Sequence, residues 1–253
     1  MRFDILTIFP DLLESPLKEG IIRRALHGGE IAVHIHDIRK FATDKHAMTD
    51  DRPFGGGEGM VMKPEPIAAA LRHVRQEAAG GKVVLLSPQG RKYSQEIAEE
   101  LADLDHLILI CGRYEGVDER IRLHYTDEEI SIGDYILTGG ELAALVLVDS
   151  ITRLLPGVLG CADSADQDSF SRGLLKNPQY TRPRVFENIE VPSVLLTGDH
   201  KAIAQWRFVA SVRATLSRRP DLLAARTFTS EERKLLQENG LLAEVDNAKE
   251  SRN

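Results

Sequence analysis

The chain has 253 residues, 32 Lys and Arg against 39 Asp and Glu, a formal net charge of -7 and 42% hydrophobic residues. At about 100 to 200 residues per domain this is an ordinary globular composition with room for one or two domains. The longest apolar stretches, Leu107 to Cys111 and Leu142 to Val148, fall far short of the ~18 residues a membrane helix needs, and the acidic balance, taken globally, speaks against a nucleic-acid partner.

In chain order, Phe3 to Phe9 reads as a strand stopped by Pro10, Gly20 to Leu26 as the end of a short helix closed by Gly28-Gly29, and Ile31 to Ile38 as a second strand. Pro64 to Ala79 has helical periodicity, Lys82 to Leu86 is a buried-strand run, Gln95 to Leu104 is amphipathic, and Leu107 to Cys111 is a further strand. Strands alternating with helices predict an α/β layer with a largely parallel sheet. Glu141 to Leu155 is an apolar helix stopped by Pro156-Gly157, and the small polar run Cys161 to Asp168 reads as a linker. Beyond it the pattern is helical, with Lys201 to Arg218 as the main element and a capping box at Thr229 and Glu232. The expected organisation is an α/β domain over 1–160, a linker over 161–170, a small all-helical domain over 171–246 and a polar tail over 247–253.

Cys111 and Cys161 cannot by themselves form a disulfide framework or a zinc site, and no HExxH or CxxC spacing exists, so no metal-binding residues are assigned. The N-terminus lacks the form of a cleavable signal, and a cytoplasmic location is expected. The run Gly55-Gly56-Gly57-Glu58-Gly59 has neither the Gly-Lys-Ser/Thr of a P-loop nor a preceding apolar strand, and alone it reads as a surface loop. Three other glycine-bearing segments, Ser87 to Gly90, Gly112 to Gly116 and Ile132 to Gly140, flank apolar runs. Loops leaving the carboxyl ends of strands are where open α/β sheets bind ligands. Arg153, at the end of the apolar helix, reads alone as a solvated arginine, and Asp168 as one of several solvating linker aspartates.

The ordered runs Asp51 to Gly57, Leu86 to Arg91, Cys111 to Arg120, Ser131 to Gly140, Leu155 to Gly160 and Tyr180 to Pro183 are more specific. Through them the chain closely resembles the bacterial tRNA (guanine-N1)-methyltransferases of the SPOUT superfamily, over nearly all of residues 1–240. The resemblance implies a SPOUT-type α/β fold whose C-terminal part threads a deep trefoil knot, which periodicity cannot reveal and which general topology rules would exclude. It also implies S-adenosylmethionine as methyl donor, tRNA as substrate, and a homodimer with active sites at the subunit interface. Magnesium is a further family expectation, with no site assignable from the sequence.

The implied reaction is methylation of N1 of guanine 37, beside the anticodon and preceded by guanine. Guanine N1 carries a proton at neutral pH, so the chemistry calls for a general base and a cation beside O6. By position in the family motif Asp168 matches the base and Arg153 the cation, with Glu115 in a supporting role. The donor-binding positions carried over are Leu86, Ser87, Pro88, Gly112, Tyr114, Ile132, Gly133, Asp134, Tyr135, Ile136, Leu137, Gly139 and Gly140. Gly55, Gly56, Gly57 and Gly59 then read as a loop closing near donor and guanine, and Tyr180, Arg182, Arg184, Lys201, Arg207, Arg213 and Arg218 as tRNA contacts. Arg172 and Lys176 stand where relatives often carry acids, and Glu58 and Ala143 where they often carry proline.

Two alternatives stay open at this point: a SPOUT methyltransferase with another RNA target, and a non-catalytic RNA- or nucleotide-binding protein. The charge is unevenly spread. Residues 96–149 hold 14 acids and 3 bases, whereas residues 172–226 hold 10 bases and 4 acids. The global acidity therefore does not exclude an RNA partner for the basic segment.

Overall fold

A computed structural model of the chain describes residues 1–160 and 168–250. The chain divides into two compact units, Met1–Ala162 and Asp163–Asn253. Residues 161–167, which hold most of the expected linker, lie outside the described residues.

The first unit is built on a five-stranded parallel sheet. Its strands are β1 (Arg2–Thr7), β2 (Ala32–Asp37), β5 (Lys82–Lys92), β6 (His106–Cys111) and β7 (Glu128–Ser131), in the order β2-β1-β6-β5-β7. β3 (Asp50–Asp51) and β4 (Val61–Met62) form a separate antiparallel pair. A parallel sheet covered on both faces needs strands that are apolar on both sides, which is what Leu107 to Cys111 and Val83 to Leu86 supply. Successive side chains alternate between two cores. Phe3, Ile5, Leu107 and Leu109 pack under α1 (Asp11–Leu17), α2 (Gly20–Gly28), α4 (Gln95–Ala102) and α6 (Glu141–Thr152). Leu6, Ile108 and Ile110 pack under α3 (Pro64–Glu77) and α5 (Glu119–Tyr125).

Strand β5 runs further than its apolar stretch predicts. Leu86 and Arg91 both pair with Ile130 on β7, so Ser87 to Gly90 is looped out of the ladder. Gly90 has no substitute there, because a Cβ would fall 2.4 Å from the Glu129 carbonyl carbon. The strand resumes at Arg91, and Arg91 and Lys92 pair again with Ile130 and Ser131 of β7.

In the second unit, α7 (His200–Arg218), α8 (Asp221–Ala225), α9 (Ser230–Glu238) and α10 (Leu242–Glu250) enclose Leu174, Val209, Val212, Leu223, Phe228, Leu236, Leu241 and Val245. The capping box is formed: Glu232 N–H donates to Thr229 Oγ1 and Thr229 N–H donates to the Glu232 carboxylate. Two expectations are corrected. The unit is not all-helical, since β8 (Val185–Phe186) and β9 (Ile189–Glu190) form a hairpin whose turn residues Glu187 and Asn188 adopt φ of 49° and 63°. The polar stretch from residue 247 is helical through Glu250, because Val245 is buried in the unit's core and carries the turn of α10 around it.

Candidate functional site

The carboxyl ends of β5, β6 and β7 open into a cavity of about 450 Å³, within the range that holds a small ligand. Its walls are the looped-out Ser87 to Gln89, the Gly112 to Val117 turn after β6, and the Ser131–Gly140 segment that leads into α6. These are the three segments set apart in the sequence by their glycines. Of the thirteen donor positions, Leu86, Ser87, Pro88, Gly112, Tyr114, Ile132, Gly133, Tyr135, Ile136, Leu137, Gly139 and Gly140 line this one cavity. Asp134 does not. It is exposed and pairs with Lys92 Nζ at 2.9 Å.

Close backbone approach shapes the walls. Gly140 N–H donates to Gly112 O at 3.0 Å, and a Cβ on Gly140 would lie 2.7 Å from Cys111 Cα. Tyr114 holds a left-handed φ of 60°, a conformation costly for a bulky residue and found mainly where surrounding contacts impose it. Tyr114, Tyr135 and Ile136 present exposed apolar surface at the cavity. No lysine lines it. Cys111 lies just beneath the floor, where burial, with the Glu141 carboxylate adding to it, pushes its thiol well up; it is a buried neutral group and not a nucleophile.

The glycine-rich loop reaches the same place. Glu115 N–H donates to Met60 O, Met62 N–H to Gly116 O and Asp118 N–H to Met62 O, so β4 is stitched to the turn after β6. Gly59, at φ 83°, approaches so closely that a Cβ would meet the Glu115 carboxylate at 2.6 Å. Gly55 and Gly56, both at positive φ, have open space around them.

Arg153 caps the C-terminus of α6, its N–H donating to Asp149 O. Asp168 belongs to the second unit, where Lys176 Nζ donates to its Oδ1 at 2.7 Å and Lys176 N–H donates to Ser169 Oγ at 3.0 Å. In that unit Tyr180, Arg182, Arg184 and Arg207 share a groove of about 440 Å³ with Leu195 and Ile203, and Tyr180 packs against Trp206 at 6.3 Å. Lys201, Arg213 and Arg218 stand apart from that groove, on other turns of α7.

Sequence reasoning missed Arg113 and Glu141. Glu141 is 1% exposed and accepts from Thr7 Oγ1 at 2.6 Å and from Arg113 Nη2 at 2.9 Å. An acid in the first turn of a helix reads as an ordinary partner of the helix dipole, and nothing in a 28-residue separation signals the pair.

A parallel sheet covered by helices on both faces, with a glycine-walled cavity at its carboxyl ends and a second unit that carries a basic segment, defines an α/β ligand-binding protein with an RNA-compatible appendage. Comparison with known proteins makes this specific. Residues 1–225 match the family model described as tRNA (Guanine-1)-methyltransferase TrmD. A tRNA (guanine-N(1)-)-methyltransferase of Geotalea uraniireducens is 53% identical over 238 residues, covering 94% of this chain and 96% of that protein. That of Chloroflexus aggregans is 57% identical over 225 residues, 88% of each chain. The crystal structure of a tRNA (m1G37) methyltransferase from Aquifex aeolicus superimposes with a TM-score of 0.73 at 39% identity, covering 88% of this chain and 94% of that one. The chain belongs to the tRNA (guanine-1)-methyltransferase family.

Proposed function

We propose that the chain transfers a methyl group from S-adenosylmethionine to N1 of guanine 37 of tRNA, next to the anticodon and after another guanine, and so supports reading-frame maintenance. The observation that carries this is the convergence of twelve donor-motif residues on one cavity in a chain of this family.

The cavity suits the donor chemically. An adenosine without phosphates needs no lysine, and the walls offer backbone groups, glycine cradles and the apolar faces of Leu86, Ile132, Ile136 and Leu137. Bound there, S-adenosylmethionine supplies an electrophilic methyl group on a sulfonium leaving group, so that no covalent enzyme intermediate is required. The chain's own residues then have to hold an unstacked guanine with N1 in line, take its proton and compensate the charge that develops on O6. Asp168 takes the N1 proton. Arg153 faces O6, where a planar guanidinium offers two parallel donors that a lysine lacks. Lys176 Nζ, 2.7 Å from Asp168 Oδ1, holds that carboxylate in position. Glu115, beside Gly59 at the cavity rim, supports the base or the donor's positive charge. The glycine-rich loop closes over the donor.

The trefoil knot belongs to this reading. Support for it is the passage of Thr138 to Gly140 against the turn after β6, with Arg113 bridged to Gly139. So does the homodimer. Leu142 and Val146, one turn apart on α6, are 57% and 43% exposed, and Leu12 on the adjoining α1 is 50% exposed, an apolar face suited to a second copy. The tRNA contacts fall to the basic segment of the second unit, with Tyr180, Arg182, Arg184 and Arg207 grouped at one groove.

Magnesium is not given a role. Among the described residues one group, Asp4, His36 and Glu77, brings three ligand atoms within 4.8 Å. Arg2 already donates to both carboxylates there, at 2.6 and 3.3 Å, and the group stands at the amino end of β1, so it does not fit an octahedral oxygen-bound ion.

Incubating the chain with S-adenosylmethionine and a tRNA transcript, then digesting to nucleosides, tests the reaction. The product is 1-methylguanosine; a 2′-O-methylated ribose or another methylated base would contradict the proposal.

A further inference from the structure

The buried ion pair between Arg113, itself part of the cavity wall, and Glu141, behind it, lies at the carboxyl end of β1. Glu141 is fully used: Oε1 accepts from Thr7 Oγ1 at 2.6 Å, and Oε2 accepts from Arg113 Nε at 3.0 Å and Nη2 at 2.9 Å. The third arm of the same guanidinium, Nη1, donates to Thr138 O at 3.1 Å, and its face lies 4.6 Å over the Phe9 ring. Gly139 is the residue that lets it through, since a Cβ there would fall 2.0 Å from Arg113 Nε. One arginine thus binds three pieces of chain far apart in sequence: the end of β1, the turn after β6 and the segment entering α6.

Burying two charges is a poor way to gain stability, because desolvation offsets most of their attraction. The geometry gives the pair another use. Arg113 stands between Gly112 and Tyr114 of the cavity wall, and its side chain ties Thr138 and Glu141 to that turn beside the backbone bond from Gly140 N–H to Gly112 O, so it braces the junction of the two wall segments. It also precedes Glu115, whose N–H holds Met60 and with it the glycine-rich loop. We propose that Arg113 and Glu141 are positioning residues for the methyl donor, a clamp that braces the junction of the two wall segments and so holds the shape of the donor cavity. This rests on reading that cavity as the donor site.

A lysine at 113 keeps the charge but loses the fork that reaches Glu141 and Thr138 together. The experiment is calorimetric titration of S-adenosylhomocysteine into wild type, Arg113→Lys, and the neutral pair Arg113→Met with Glu141→Gln, alongside thermal melts of each ligand-free protein. Arg2→Met serves as control, because it breaks another pair with a fully buried carboxylate, Arg2 with Asp4, at the other end of the same strand. Expected is a loss of affinity of about tenfold in Arg113→Lys and in the neutral pair, the order of one charge-assisted hydrogen bond. The neutral pair should melt near wild type, and Arg2→Met should melt lower while binding normally. Wild-type affinity in both clamp variants overturns the clamp, as does an equal loss in Arg2→Met. A wild type that does not bind overturns the donor-site reading and the clamp with it, a result distinguishable from failure of the clamp alone.

Discussion

A carboxylate with no exposed surface persists at Asp4 because every lone pair is engaged. Burial pushes its pKa up, but hydrogen bonds from His36 at 2.6 Å, Arg2 at 2.6 and 2.9 Å and His106 at 2.7 Å outweigh that and hold it well below the usual carboxylate range. A depressed folded-state pKa means stability that is present above the unfolded value near 4 and is lost as pH falls through the lower folded value. Thermal melts should therefore hold steady down to about pH 5 and fall steeply below about pH 4. Asp4→Ala, which leaves Arg2 facing two histidines, should cost about 3–5 kcal/mol in denaturant unfolding. A cost below 1 kcal/mol, the range of an exposed ion pair, would contradict this account of the network. At the catalytic end, Asp168→Asn should lose turnover by a factor of about 10²–10⁴, the usual worth of a general base, while donor affinity stays unchanged. Single-turnover methylation with parallel titration of the donor separates the two, and retained turnover would remove Asp168 from the mechanism.

The elements were legible to the extent that apolar burial wrote them. Leu107 to Cys111 and Val83 to Leu86 are buried on both faces and could be little else than central strands. β7 and α5 escaped because they each bury little: Ile130 and Ser131 in one, Ile121 alone in the other, within the charge-rich stretch from Glu119 to Glu129. α1 was obscured by Pro16 inside it, although Leu13 and Leu17 fill a core position one turn apart. The donor loops could be found as glycine clusters after apolar runs, yet the reason for particular glycines lies in contacts that no local pattern carries. Gly140 has an ordinary negative φ and is required only because Cys111 passes behind it. Gly140→Ala should accordingly lower stability by about 1–3 kcal/mol through overpacking and weaken donor binding, measured by melting and titration. In the second unit Thr229→Ala should cost about 1 kcal/mol and leave donor binding unaltered, since its capping box lies in α9.

Across the whole molecule, the net negative charge lies in the first unit, where residues 1–162 hold 26 acids and 18 bases, whereas residues 163–253 hold 13 acids and 14 bases and gather their bases in the segment 172–226. The acidic run lies across the cavity walls and the strands and helices around them, while the basic run extends from the residues after the linker through α7 and α8. An RNA held mainly by that basic segment should dissociate as salt rises, because each neutralised phosphate releases a counterion. Filter binding of tRNA between 50 and 200 mM salt, an interval over which about six to ten phosphate contacts weaken affinity by about 10³–10⁵, checks the expected steep loss. A flat salt response would contradict a phosphate-based interface. Replacing Leu142 and Val146 with aspartate should yield a monomer by sedimentation if α6 carries the self-association face. None of this could be read from the periodicity alone, since contacts between residues far apart in the chain leave no repeating pattern in the sequence. The central claim is that guanine 37 is the methyl acceptor. It is tested most directly by methyl transfer from radiolabelled S-adenosylmethionine to two transcripts identical except that guanine 37 is replaced in one. Incorporation into the first and none into the second is the predicted result; equal incorporation into both would contradict it.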